Sequence, residues 1–368
     1  MRNFIEKALK GMKTAAAVCA FTFCIFATDT VSGAVSGAVE RCVNVVIPSL
    51  FAMMIISGLL VRSGMISAVP RFIGVIGEKL LGMERFVLPV FTFGMFAGYP
   101  VGAKMICAQY ENGHLDKKRA ELLCGLCFGA GPAFIFGCIS GRLYSSPSAG
   151  IAILVSNITA NIIIAAAFSP ILRKTISRNS GRKSISLSAD MLTQSVLGAG
   201  RSMADICMMI AAFSVISAIL SQLGISEAAG RLISEVSGRD KAACEALFRC
   251  ALDVTAAEEL PCGDYSLLPV ISSLTSFGGL CVIFQISAIT SGKLSVRPLI
   301  FIRLTAAVMS FFICRTVMPF ILRNEAVTAA AVNISIHKGS SPVPSVMLIL
   351  MTAVLFLESA EEHSHGKA

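Results

Sequence analysis

The sequence predicts an all-α protein, a polytopic membrane helix bundle of about 8–10 spans at about 20 apolar residues each, in two pseudo-repeated halves that each carry a Gly/Pro-broken helix. Three observations predict it. Of 368 residues, 55% are hydrophobic and only 14% charged, with mean hydropathy +0.77 and no tryptophan, where a soluble domain carries about 25% charged residues. The apolar stretch 86–110 is interrupted by Ala97-Gly98-Tyr99-Pro100-Val101-Gly102. A comparable stretch, broken at Ser276-Phe277-Gly278-Gly279-Leu280, lies in the second half.

The first interruption stops a smooth helix. Pro100 removes a backbone donor and crowds the preceding turn, while Gly98 and Gly102 accept backbone angles that other residues avoid. Unwound backbone at membrane depth persists only where protein buries it or water reaches it, so a broken membrane helix points to a cavity. Leu88-Pro89-Val90 recurs 180 positions later as Leu268-Pro269-Val270, an offset that sets Gly98 on Gly278. Met53-Met54-Ile55 echoes in Met208-Met209-Ile210 at a different offset, which is only suggestive.

The formal charge of +9 is not gathered into a basic stripe with interleaved aromatics, which argues against nucleic acid. Basic residues flank apolar spans instead. Arg2, Lys7, Lys10 and Lys13 precede the first, and Arg173, Lys174, Arg178, Arg182 and Lys183 fill the central connection, which places both on the cytoplasmic side. The 13 cysteines are scattered through apolar segments and read as reduced packing residues. Cys124-Gly-Leu-Cys127 is their only close pair and lacks the further ligands of a zinc site, so no metal and no cofactor is expected. No nucleophile elbow, phosphate loop or His-Glu-x-x-His occurs, and no enzyme is expected.

In order, residues 1–40 read as an N-terminal membrane helix, uncleaved, with its span over 13–35; the alternative is a secretory signal. A first membrane half covers 41–169. It has a span at 43–61 whose Pro48 suits the first turn of a helix, an amphipathic stretch at 65–81, the broken 86–110, a polar turn whose Asp116 suits an N-cap, a segment 122–139 broken at Phe128-Gly129-Ala130-Gly131-Pro132, and a span at 151–168. The two consecutive breaks suggest half-helices that close on each other. Residues 170–190 form a basic, serine-rich cytoplasmic linker. The second half, 191–322, offers a span at 202–223, an amphipathic stretch at 228–236, a polar segment at 240–259, the broken 266–289 and a span at 299–322. A final helix at 343–357 and a charged tail complete 323–368.

Lys104 follows the first break inside an apolar run, which marks it as a carboxylate-binding candidate, with snorkelling as the alternative. His114 reads as a solvated turn residue. Asn157 and Asn161, at i and i+4, suit either interhelical hydrogen bonding or solute contact. Arg201 with Asp205 and Arg249 with Asp253 have the spacing of internal ion pairs. Glu258, Glu259 and Asp264 read as a solvated face or an entry vestibule.

In order, Gly98-Tyr99-Pro100-Val101-Gly102-Ala103-Lys104, Arg119-Ala120-Glu121-Leu122-Leu123, Gly131-Pro132-Ala133-Phe134-Ile135-Phe136-Gly137 and Ser276-Phe277-Gly278-Gly279-Leu280 with Gln285 resemble the signature segments of YlbJ-type sporulation integral membrane proteins. These belong to the wider nucleoside-recognition or Gate domain group. The resemblance covers about residues 40–320. It implies an integral protein of the bacterial cell membrane, in the outer forespore membrane during sporulation, linked to movement of dipicolinic acid from mother cell toward forespore. Two half-helix N-termini and a lysine suit such a small dicarboxylate. The resemblance also sets Asp253, in Leu252-Asp253-Val254-Thr255, on a family carboxylate position and makes it a coupling candidate. Phe128-Gly129-Ala130 stands where the family has Asn-Asn-Ser, and Cys281 and Ile283 where it has Ser and His.

The expected function is therefore a transporter or permease for a small anionic metabolite, dipicolinic acid first. The substrate-binding candidates are Gly98, Tyr99, Pro100, Gly102, Lys104, Gly131, Pro132, Ser276, Gly278, Gly279 and Gln285. The expected partners are the lipid bilayer and the solute, with a homo-oligomer or other sporulation membrane proteins as further candidates. A nucleoside or nucleobase transporter and a non-transporting membrane scaffold of spore assembly remain the alternatives.

Overall fold

A computed structural model describes residues 21–23, 25–67, 71–174 and 187–322, and these contain helices but no strand. The first half runs α1 (Thr28–Arg62), α2 (Arg71–Leu81), α3 (Val87–Ala97), α4 (Tyr99–Glu111), α5 (Lys117–Leu126), α6 (Pro132–Phe134 continuing as π-helical Ile135–Tyr144) and α7 (Pro147–Lys174). The second half runs α8 (Ala189–Gln222), α9 (Ile225–Ser237), α10 (Lys241–Leu252), a 3₁₀ segment Val254–Glu259, α11 (Leu268–Phe277), α12 (Gly279–Ile289) and α13 (Arg297–Leu322). Five helical segments among the described residues are long and apolar enough to cross a membrane: Thr28–Arg62, Pro147–Arg173, Ala189–Gln222, Tyr265–Ile289 and Arg297–Leu322. The chain is an integral membrane protein.

Each half contains, in the same order, a long helix (α1, α8), an amphipathic helix (α2, α9), a helix that stops at a sharp tip (α3 at Gly98, α10 at Asp253), a broken helix (α5–α6, α11–α12) and a second long helix (α7, α13). The halves run in opposite senses. At one end of the bundle, called the linker end because α8 begins there, Arg62, Glu111 and Asp190 share a cleft, and Lys293 pairs with Glu111. At the far end Glu258 pairs with Arg41 and Arg142, and the Gly263 amide donates to the Leu143 carbonyl at 2.7 Å. Thus α1 runs toward the linker end and α8 away from it, α5–α6 runs away and α11–α12 returns, and the α3–α4 hairpin dips in from the linker end.

This arrangement corrects the register read from the sequence. The structural repeat follows the offset of 155 that relates Met53 to Met208, and the same offset carries Gly98 onto Asp253 and Lys104 onto Glu259. Leu88-Pro89-Val90 and Leu268-Pro269-Val270 are alike because both open apolar half-helices, in which an early proline gives up no needed donor. They sit at non-equivalent places.

The last part of the first expected span, 28–35, also joins the second. Instead of 13–35 and 43–61, one helix runs Thr28–Arg62, with π-helical Cys42–Val46 just before Pro48, so Pro48 lies inside a helix rather than at its start. The wider π turn takes up the backbone mismatch that proline would otherwise force as a kink. The 86–110 segment does not form one long span but turns back at Gly98. The 13–20 part of the first span, residues 175–186 of the linker, and the 343–357 helix and tail lie outside the described residues.

The expected cap forms where Asp116 accepts from the Arg119 amide at 3.2 Å. Arg119, 1% exposed, pairs with Glu84 at 3.0 Å and donates to the Gly82 carbonyl at 3.3 Å, tying the start of α5 to the loop before α3. The 11 cysteines among the described residues are free, and all but Cys207 and Cys262 are buried.

Candidate functional site: the chamber between the breaks

The breaks of both halves meet at the middle of the bundle. Gly98, at φ 102°, reverses the chain between α3 and α4. A Cβ there would fall 2.3 Å from Leu50 Cδ2 on α1, so this turn requires glycine both for its angle and for the contact. Gly94 and Gly102 let the hairpin seat on the second break: a Cβ on Gly102 would lie 2.0 Å from the Cys127 carbonyl oxygen and one on Gly94 2.7 Å from it. The two interruptions of the first half thus close on each other. In the second half α11 ends at Gly278, at φ 87°, and Gly279 packs on the tip of α10, where a Cβ would meet the Val254 amide nitrogen at 3.0 Å.

Between these tips lies a chamber of about 40 Å³. Gly98, Tyr99, Pro100, Gly131, Asp253 and Gln285 line it together with apolar residues of α1 and α8. The N-termini of α4 and α6 open beside it, which gives it a positive backbone field. Asp253 is 5% exposed and caps the following turn, accepting from the Thr255 amide at 3.0 Å and its hydroxyl at 2.8 Å.

Behind Tyr99 is a polar layer that holds the breaks in place. The Tyr99 hydroxyl donates to the Thr275 carbonyl at 2.8 Å, and its ring stands 5.0 Å from that of Phe128. Arg303, fully buried on α13, lies 4.7 Å over the Phe128 ring, donates from Nη2 to Asn161 Oδ1 at 2.8 Å and from Nη1 to the Ser276 carbonyl at 3.4 Å. Asn161 Nδ2 donates to the Phe128 carbonyl at 2.6 Å. Asn157 binds Thr275 at 3.0 Å and accepts from Ser310 at 2.6 Å. These contacts satisfy carbonyls that an interrupted helix leaves open, and in an apolar medium each open carbonyl is costly.

The chamber is flanked by two clefts along the α1–α8 seam. The first, about 490 Å³, lies at the linker end and is lined by Ser57, Arg62, Lys104, Glu111, Asp190 and Gln194, among others. The second, about 240 Å³, lies at the far end and includes Gly33, Gly37, Arg41, Ser217, Asp253 and Glu259. Under the 155-residue offset, Lys104 of the first cleft corresponds to Glu259 of the second. Asp253 borders both the chamber and the second cleft.

Of the residues singled out in the sequence, Gly98, Tyr99, Pro100, Gly131, Gln285 and Asp253 converge on the chamber. Lys104 does not join Gln285 there. It lines the first cleft, where its Nζ donates to the Gly198 carbonyl of α8 at 2.8 Å. Gly102, Gly278 and Gly279 provide close packing, Pro132 opens α6, and Ser276 offers its carbonyl to Arg303. Asn157 and Asn161 both bridge helices. Arg249 pairs with Glu245 and Glu259, each at 2.7 Å, and not with Asp253, because the chain turns at Asp253 and points its carboxylate at Thr255. Arg201 and Asp205 are exposed, and no ion pair joins them among the described residues. His114 Nδ1 contacts Gln109 Oε1 at 2.7 Å in the turn after α4. Sequence reasoning missed Arg303, although an arginine near the start of the apolar 299–322 run, which also carries Arg315, was signal enough.

The chain is similar to the sporulation integral membrane protein YlbJ of Bacillus subtilis (strain 168), 30% identical over 128 residues. That match spans 33% of this chain and 30% of the relative's own length. No family model and no solved structure matches the chain.

Proposed function

We propose that this protein is a permease for a small anionic metabolite and that the solute passes along the α1–α8 seam, from one cleft through the chamber to the other. The observation that carries this reading is the row of three cavities: two clefts at opposite ends, related by the inverted repeat, with the chamber where the breaks meet lying between them. Broken helices of two oppositely oriented halves, meeting near the membrane middle, are the usual construction of a carrier site.

The 40 Å³ chamber is too small for a dicarboxylate as it stands, since drug-sized ligands occupy about 300 Å³ or more. Transport on this reading requires the hairpin tips to separate from α1 and α8. In the first cleft Lys104 and Arg62 offer positive charge to an anion, with Glu111 paired to Lys293 and Asp190 the remaining carboxylate. The similarity to a sporulation membrane protein, with the Gate-type motif resemblance, puts dipicolinic acid first among candidates and the outer forespore membrane first among locations.

The test is spore dipicolinic acid content, with mother-cell accumulation alongside, in a strain lacking this gene and in the complemented strain. Spores without dipicolinic acid from a mother cell that accumulates it support the reading. Spores of the deletion strain that fill normally overturn this substrate. A protein that serves only as a scaffold of spore assembly would tolerate loss of the Lys104 charge.

A further inference from the structure

Arg303 is the most unusual charge in the protein. It is 0% exposed, sits within a membrane-crossing helix, and no carboxylate pairs with it among the described residues. A buried cation without a counter-ion is strongly unfavourable unless other groups solvate it. Here the solvating groups are the Ser276 carbonyl at the C-terminus of α11, the Asn161 amide oxygen and the face of Phe128. Helix C-termini carry partial negative charge, and unwound carbonyls at helix breaks are the groups that hold coupling cations in carriers of this construction. The guanidinium stands where such an ion would stand, between the break of α5–α6 and the break of α11–α12, and it reaches the first through Asn161 and the Phe128 carbonyl.

We propose that Arg303 is a tethered cation: its guanidinium fills the cation site that the two broken helices create, so the protein binds no free Na⁺ or K⁺ there and moves its solute independently of either ion. The transport half of this statement rests on the permease reading above, whereas occupancy of the site by Arg303 does not. Removing the side chain then does more than loosen packing. It leaves a carbonyl-lined vacancy that a soluble monovalent cation can enter.

The experiment measures the unfolding temperature of the detergent-solubilised full chain in NaCl, KCl and choline chloride at equal ionic strength, for wild type, Arg303→Met and Arg303→Lys. Wild type is expected to unfold at the same temperature in all three salts. Arg303→Met is expected to unfold several degrees lower in choline and to regain part of the loss in NaCl or with millimolar guanidinium. Arg303→Lys keeps a point charge without the planar fork, so it is expected to fall between the two and to ignore Na⁺. A wild type stabilised by Na⁺ over choline, or an Arg303→Met protein that no small cation restores, overturns the proposal. If Arg303→Met does not accumulate in membranes, the wild-type comparison and Arg303→Lys still decide it. With the same protein reconstituted into vesicles, a wild type that ignores Na⁺ yet moves no dipicolinate sinks the reading as a dipicolinate permease and leaves the Arg303 site standing.

Discussion

Arg303 on α13 and Asn161 on α7 are joined by a 2.8 Å hydrogen bond, and Asn161 continues the chain of contacts to the Phe128 carbonyl at 2.6 Å. One asparagine therefore serves a buried cation and an interrupted helix at once. Asn161→Leu fills similar space but leaves the guanidinium one acceptor short and the carbonyl without its donor. It is expected to cost about 2–4 kcal/mol, read as a fall in unfolding temperature of the solubilised protein. Asn161→Asp also loses the donor to the Phe128 carbonyl but keeps an acceptor, now charged, for the guanidinium, and is expected to cost less.

Close approach at the breaks makes a second prediction. Gly102→Ala places a methyl group against the Cys127 carbonyl, where neither backbone can yield, and is expected to destabilise by about 3 kcal/mol or more. Gly200→Ala, in the interior of α8 with nothing within 4 Å of the new carbon, is expected to be neutral or stabilising by up to about 1 kcal/mol. Membrane-inserted yield and unfolding temperature distinguish the two. Equal behaviour would mean that the α3–α4 hairpin does not seat on the second break.

Lys104→Met removes one of the two cations lining the first cleft and its bond to Gly198, while Met54 beside it provides apolar contact. The protein is expected to remain in the membrane with an unfolding temperature near wild type and to lose at least about tenfold in dipicolinate uptake, the worth of one charge-assisted bond. Uptake at the wild-type rate would remove Lys104 from the path.

The second cleft can be probed without touching charge. Gly33 has no neighbour within 4 Å of a would-be Cβ, and Gly37 has only Arg41 Nη1 at 3.9 Å, so leucine at either position enters the cleft rather than the packed seam. Ser217→Cys is expected to react with a membrane-impermeant maleimide from one face of the membrane and Gln194→Cys from the other, each above the parent's own background. Gly37→Leu is expected to suppress labelling of Ser217→Cys alone. Labelling of both cysteines from the same face would contradict a path that joins the clefts.

The helical membrane class was plain in the sequence because apolar composition and Gly/Pro interruptions report directly on backbone energetics in lipid. Gly98 and Pro100 were legible for that reason, whereas Gln285 was singled out only through the family resemblance. The register of the repeat was not legible. A hydrophobic tripeptide such as Leu-Pro-Val marks any proline-led half-helix, and only packing shows that α3 answers to α10 rather than to α11. The continuation of 28–35 into the second expected span was hidden because Pro48 is tolerated through a π turn that side-chain pattern does not encode. That Lys104 lines the first cleft and not the chamber with Gln285 was not legible either, since only the hairpin's reversal at Gly98 carries it back toward the linker end.

Uptake of labelled dipicolinate into vesicles reconstituted with the full-length protein tests the permease account most directly. The account predicts accumulation above protein-free vesicles with wild type, the same rate when Na⁺ is replaced by choline, and loss with Gly37→Leu although that variant inserts and unfolds like wild type. Uptake no greater than in protein-free vesicles, or equal uptake by Gly37→Leu, would contradict it.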